Sequence, residues 1–62
     1  MTAVEECHRA CDAALASYTG LPVPVELPEG LTIQELHGVV TFWRSAGWTA
    51  DVDSSSRFLT IG

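Results

Sequence analysis

Two Thr-x-x-Glu boxes, at Thr2–Glu5 and Thr32–Glu35, are the feature that most constrains the fold of this chain. In a capping box the Thr side chain accepts from the backbone N–H three residues on, and the Glu side chain reaches back to the N–H of the Thr. Each box therefore predicts the start of a helix. Glycines predict where the helices stop, with the first running to about Tyr18 before Gly20 and the second ending at Gly47.

Both predicted helices have one apolar side when their residues are spaced at about 100° on a helical wheel. In the first helix these residues are Val4, Cys7, Ala10, Cys11, Ala14, Leu15 and Tyr18. In the second they are Ile33, Leu36, Val39, Val40, Phe42, Trp43 and Ala46. Each helix therefore needs a sheet or another helix to cover that side, and we expect Trp43 to organise the core.

Three short segments alternate between apolar and polar residues, which is typical of strands with one buried face. In order along the chain, their inward residues are Val23, Val25 and Leu27; Trp48, Ala50 and Val52; and Leu59 and Ile61. Pro24 has no N–H to give to a ladder, so the first strand is predicted to be an edge. The polar run DSSS at 53–56 predicts a hairpin turn between the other two strands.

These elements predict a single small α+β domain over residues 1–62, in the order α-β-α-β-β. The first two strands flank a helix as in a parallel crossover, and the last strand turns back against the second. The last strand is the most apolar, so we place it in the centre. The expectation is two helices on one face of a three-stranded mixed sheet with strand order 1-3-2.

The charge balance is acidic, with eight Asp and Glu against three Arg and no Lys, for a net charge of −5. Direct nucleic-acid binding is not expected, because contacts to phosphates need clustered basic groups. No apolar stretch is long enough to span a membrane, and the N-terminus lacks the pattern of a signal peptide. We therefore expect a cytoplasmic protein. The absence of Lys alongside many Ala and Val is typical of a GC-rich coding sequence, which suggests a bacterial or phage origin.

Cys7, His8 and Cys11 form the stretch that most resembles a metal or redox site. A structural zinc site takes four ligands, usually from closely spaced pairs, whereas here His8 points about 100° away from Cys7 on the wheel. Residues four apart on a helix also keep their Cβ atoms too far apart for a disulfide. We predict that Cys7 and Cys11 are core residues and that the protein holds no metal or cofactor.

Enzymatic activity is not expected. His8 and His37 fall on or near the polar sides of their helices, and the chain has no phosphate-binding glycine loop or zinc-protease motif. A domain of this size has little interior in which to build a catalytic pocket. Gly38, in the middle of the second helix, suggests a close backbone approach. Trp43 and Trp48 are both expected in the core.

A protein-binding surface is the function that the pattern favours. Phe58, Thr60 and Asp51 are predicted to lie on the sheet face that the helices leave uncovered, and Phe42 lies at the margin of the apolar stripe of its helix. The leading hypothesis is a small interaction module that binds a partner or itself through this face or a sheet edge, such as a bacterial or phage accessory protein that modulates a host protein. The alternatives are a minor structural or virion-assembly subunit and a metal or redox sensor.

Overall fold

A computed structural model describes residues 2–55 and 57–62 of the chain. Its helices are α1 (Ala3–Ala16) and α2 (Ile33–Ser45), and its strands are β1 (Val23–Glu26), β2 (Ala50–Val52) and β3 (Phe58–Ile61). The order α-β-α-β-β is the predicted one, and the α+β class is confirmed.

Thr2 and Thr32 are the N-caps of the two helices, as predicted, and the full reciprocal capping box forms in α2. In α2 the Thr32 Oγ1 accepts from Glu35 N at 3.1 Å, and Thr32 N donates to Glu35 Oε1 at 3.0 Å. In α1 the Thr2 Oγ1 accepts from Glu5 N at 3.2 Å. The Glu5 carboxylate accepts from the Thr2 hydroxyl at 3.3 Å, and not from the Thr2 backbone N–H that the box requires. The ends differ: Gly47 follows the C-cap of α2 with φ +95°, but α1 stops at Ala16, before the predicted end.

The sheet has the predicted strand order, β1-β3-β2, and the central strand runs antiparallel to both neighbours. A mixed sheet was expected because β1 and β2 point in the same direction. They do so, but β3 separates them, so no parallel ladder forms between them. Every ladder in the described part of the chain is therefore antiparallel.

Both helices pack on one face of the sheet, as predicted. The helix α1 contacts β1 and β3, α2 contacts β2, and the helices contact each other. One cluster of buried side chains joins all five elements: Cys7, Cys11, Val25, Val39, Val40, Trp43, Ala50, Leu59 and Ile61. The predicted inward faces of the helices and strands thus meet in a single core.

Some predicted core residues lie at its margins. Ile33, the first residue of α2, is 85% exposed. Val52 is exposed at the end of β2, and Trp48 is only half-buried, with its ring edge-on to Tyr18 at a centroid distance of 5.4 Å. Gly38 is exposed, and a Cβ there would meet nothing within 4 Å, so the expected close approach is absent.

A turn joins β2 to β3, as predicted. The Ser55 hydroxyl donates to Asp53 Oδ2 at 2.6 Å, the local side-chain bonding by which short polar residues hold turns. Ser56, the last residue of the predicted turn, lies outside the described residues. Within the described ranges, no helix is long and apolar enough to cross a membrane.

Candidate functional site

The sheet face away from the helices carries three of the four residues predicted to bind protein. Directly paired residues on antiparallel strands share a face, and the register pairs Thr60 with Pro24 on one side and with Asp51 on the other. Phe58, two residues before Thr60, points the same way and is 43% exposed. The predicted placement of Phe58, Thr60 and Asp51 on the uncovered face is therefore confirmed, while their role in binding stays a prediction.

Phe58 lies between two residues that carry carboxylates. Glu26 is its Cα partner in β1, and Asp53, just beyond β2, donates its backbone N–H to the Phe58 carbonyl at 2.9 Å. The bond from Leu27 N to the Arg57 carbonyl at 3.0 Å makes the next pair along, Glu26 and Phe58, a non-hydrogen-bonded pair. In such pairs the Cα atoms are only about 4.5 Å apart, and the side chains are at their closest.

The carboxylates of this face differ in the hydrogen bonds and ion pairs that they form within the protein. Asp51 forms an exposed ion pair with Arg44, Oδ1 to Nη2, at 3.1 Å. The hydrogen bond from the Ser55 hydroxyl holds the pKa of the Asp53 carboxyl below its usual range, so Asp53 stays charged in mildly acidic solution. The carboxylate of Glu26 has no hydrogen-bond or ion-pair partner among residues 2–55 and 57–62. This carboxylate is therefore available to pair with a group from another molecule.

Phe58 also lines an open hollow between the end of β1 and the start of α2, with a volume of about 430 Å³. Glu26, Glu29 and Arg57 contribute the charged groups of its lining, and Leu31 and Ile33 contribute apolar side chains. The exposed aromatic ring is therefore continuous with a concave, partly apolar surface.

Both edges of the sheet are blocked in part. The alternation of ladder bonds in β1 turns the backbone nitrogen of Pro24 outward, where its missing N–H would face solvent. On the other edge, Arg44 Nε donates to the outward carbonyl of Ala50 at 3.0 Å. Each edge therefore offers an incoming strand a broken row of donors and acceptors.

Phe42, the fourth predicted binding residue, lies elsewhere. It projects from α2 on the helical side of the molecule, is 56% exposed, and meets the ring of His8 edge-on at a centroid distance of 4.9 Å. Trp43 packs edge-on against Phe42 at 5.2 Å, and its buried Nε1 has no acceptor in the described part of the chain. The three rings also line an open hollow of about 360 Å³ together with Arg9 and Asp12.

The Cys7, His8 and Cys11 stretch does not converge. Both thiols are free and fully buried in the core, as predicted, whereas His8 turns to Phe42 at the surface. Burial raises the pKa of Cys7, and burial together with the neighbouring Cys7 raises the pKa of Cys11 to about 12. Metal binding and redox chemistry both need the thiolate, so these thiols are poorly suited to either, and no group of three His, Cys, Asp or Glu in the described ranges is placed to hold a metal.

Sequence reasoning missed two residues of the uncovered face, Glu26 and Asp53, and the helix residue Arg44, whose guanidinium reaches Asp51 on that face. The alternation of Glu26 with Val25 and Leu27 placed it outward, but its position opposite Phe58 depends on the register between β1 and β3. Arg44 belongs to a helix on the other face and reaches around the edge of β2. Only the relative placement of α2 and β2 brings it there.

No family model matches this chain, and searches of curated proteins and of solved structures found no match either. The chemistry of its surface is therefore the basis for assigning a function.

Proposed function

We propose that the protein is a small acidic interaction module that binds a partner protein, or a second copy of itself, through the uncovered sheet face around Phe58. The observation that carries this proposal is a large aromatic ring, 43% exposed, at the start of the central strand, on a sheet face that no helix or strand of the described residues covers. An exposed aromatic offers large apolar area at little cost in side-chain entropy, and such residues are enriched in protein interfaces.

The face is a better candidate than the sheet edges. Addition of a strand relies on an unbroken row of backbone donors and acceptors, and Pro24 and Arg44 interrupt that row on the two edges. The face needs no such row, because side chains make its contacts.

The wider assignment follows from charge and chemistry. With a net charge of −5 and three scattered Arg, the protein is suited to binding proteins rather than nucleic acid or anionic membranes. We place it in the cytoplasm as a bacterial or phage accessory protein without a cofactor or enzymatic activity of its own. The buried, neutral thiols weigh against the metal or redox alternative, and no observation favours the assembly subunit.

The proposal is tested by replacing one exposed Phe at a time. Phe58→Ala removes the ring from the sheet face, and Phe42→Ala is the control, because it removes another exposed ring, 56% against 43%, from the helical side. Each variant is compared with wild type in sedimentation equilibrium, which reports self-association, and in affinity capture followed by titration of the captured protein.

We expect Phe58→Ala to weaken the association by about 1–2 kcal/mol, the size of an interface hot spot. Phe42→Ala should bind as wild type does, and both variants should melt within a few degrees of it, since exposed rings contribute little to folding. Loss of binding in Phe42→Ala alone, or unchanged association in Phe58→Ala, would move the interface away from the sheet face.

A further inference from the structure

We propose that the partner presents a basic segment, and that an arginine side chain of this segment lies over the Phe58 ring with its guanidinium paired to Glu26. This inference rests on the proposed function and names the chemistry of the partner. It is motivated by a close pair on the uncovered face, in which an exposed ring lies opposite a residue whose carboxylate has no partner among the described residues.

The geometry of the pair suits a planar cation. Glu26 and Phe58 are directly opposed in a non-hydrogen-bonded register, where side chains stand side by side and Cα atoms are about 4.5 Å apart. A guanidinium within about 6 Å of an aromatic centroid is attracted to the ring face. From that position it also reaches a neighbouring carboxylate, to which it donates two parallel hydrogen bonds.

The charges around the pair favour a cationic guest. Asp53, on the other side of Phe58, remains ionised because the Ser55 hydroxyl bonds to it. Glu29 lines the same hollow as Phe58. Arg44 is already engaged by Asp51 and by the Ala50 carbonyl, so it does not neutralise Glu26.

The same charges argue against a second copy as the occupant. Two uncovered faces brought together would place the carboxylates of Glu26, Asp51 and Asp53 of one chain near those of the other, and each chain has a net charge of −5. Like charges brought together at an interface lower affinity. The chain also has only three Arg to offer a copy of itself, and Arg44 is ion-paired.

Arg57 provides an internal check on this reasoning. It lines the hollow beside Phe58 and makes no ion pair within the described residues. A positive charge there repels an incoming cation, so its removal should strengthen binding. Removal of the Glu26 charge should do the opposite.

The test uses the isotope-labelled protein and the capped peptide Thr-Arg-Thr-Arg-Thr, with a citrulline version as the neutral isostere. We expect the arginine peptide to shift the amide signals of Glu26, Phe58 and Thr60 in an NMR titration, and the citrulline peptide to shift them much less. Raising the ionic strength from about 0.1 M to about 1 M, which shortens the Debye length from about 10 Å to about 3 Å, should weaken the effect.

The variants should change the affinity for the arginine peptide in opposite directions. Glu26→Gln and Phe58→Leu should each weaken binding of the arginine peptide by about two- to fivefold, the size of an exposed cation–π or ion-pair contact. Arg57→Gln should tighten it. Glu6→Gln, which removes an exposed charge from α1, is the control and should change binding little.

The outcomes separate this inference from the proposed function. Equal binding of both peptides, or unchanged affinity in Glu26→Gln, overturns the arginine assignment. If Phe58→Ala still abolishes partner capture or self-association, the interaction face stands and a neutral segment or a second copy occupies it. If Phe58→Ala has no effect on either association, the proposed function fails as well.

Discussion

Arg44 of α2 holds the outer edge of β2, since its Nε donates to the Ala50 carbonyl at 3.0 Å and its Nη2 to Asp51 Oδ1 at 3.1 Å. The side chain begins on the helical layer and ends beside the uncovered sheet face. The backbone carbonyl of Ala50 points away from β3, so β3 cannot donate a hydrogen bond to it. Arg44 supplies that hydrogen bond from the helical layer.

Replacement of Arg44 by Gln should destabilise the fold and expose the edge. We expect a loss of about 1 kcal/mol from the Ala50 hydrogen bond. The ion pair to Asp51 adds little, because both side chains are more than half exposed. Urea unfolding gives the stability change, and light scattering at high concentration reports association of exposed edges.

Arg9→Gln is the control for this prediction, since Arg9 is exposed on α1 and makes no ion pair in the described part of the chain. It changes the net charge equally. If both variants lose the same stability or scatter equally, net charge rather than the edge contact explains the effect.

The buried thiols predict a loss of stability at alkaline pH. The pKa of Cys11 is raised from 9.0 to about 12 and that of Cys7 is also raised, chiefly because burial penalises the thiolate. The unfolded chain therefore releases these protons first. Below about pH 9 the stabilisation is complete, and for Cys11 it falls between about pH 9 and 12 by up to about 1.4 kcal/mol per pH unit. The raised pKa of Cys7 adds a loss in the same direction above about pH 9.

Urea midpoints measured from pH 7 to pH 11 test this dependence, and the values below about pH 9 provide the baseline at which the thiols are protonated in both states. Cys11→Ala should flatten the alkaline decline. Ile61→Val is the matched control, because it also opens a small space in the core but keeps both thiols. An identical slope in Cys11→Ala and wild type would show that another group titrates.

The two tryptophans should differ sharply in their effect on folding. Trp43 is buried in the core, so Trp43→Ala should cost about 3–5 kcal/mol, which is most of what a domain this small has. The variant should be largely unfolded at room temperature by circular dichroism. Trp48→Ala removes a half-buried ring and should cost about 1–2 kcal/mol.

Trp43→Phe should fall between wild type and Trp43→Ala. It leaves a smaller space than Ala does, and it removes an indole N–H that is buried without an acceptor in the described residues. A cooperative melt of Trp43→Ala close to that of wild type would contradict the placement of Trp43 in the core.

Replacement by Ala should change stability in opposite directions at two glycines, one inside α2 and one just after it. Gly38 lies in mid-helix with open space around its Cβ position, so Gly38→Ala should raise stability by up to about 1 kcal/mol. Gly47 has a φ of +95°, and Gly47→Ala should cost about 1–2 kcal/mol. Thermal melts of the two variants and of wild type measure both stability changes. A lower melting temperature for Gly38→Ala would contradict the open space around Gly38.

The sequence by itself determined the elements and their faces. Capping at Thr2 and Thr32 is local chemistry, and the periods of about 3.6 and 2 placed Cys7, Trp43, Leu59 and Phe58 on the correct sides. Even the edge position of β1 could be read from Pro24, because a missing N–H is a property of one residue.

Only the tertiary structure decided how far each face is covered and what meets on the open one. Ile33 and Trp48 have the pattern of core residues, but Ile33 is exposed at the start of α2 and Trp48 is only half-buried. The opposition of Glu26 and Phe58 depends on strand register, and the reach of Arg44 to Ala50 depends on helix placement. These relationships join residues distant in sequence, so the free energy of the whole packed core sets them, and no local pattern encodes them.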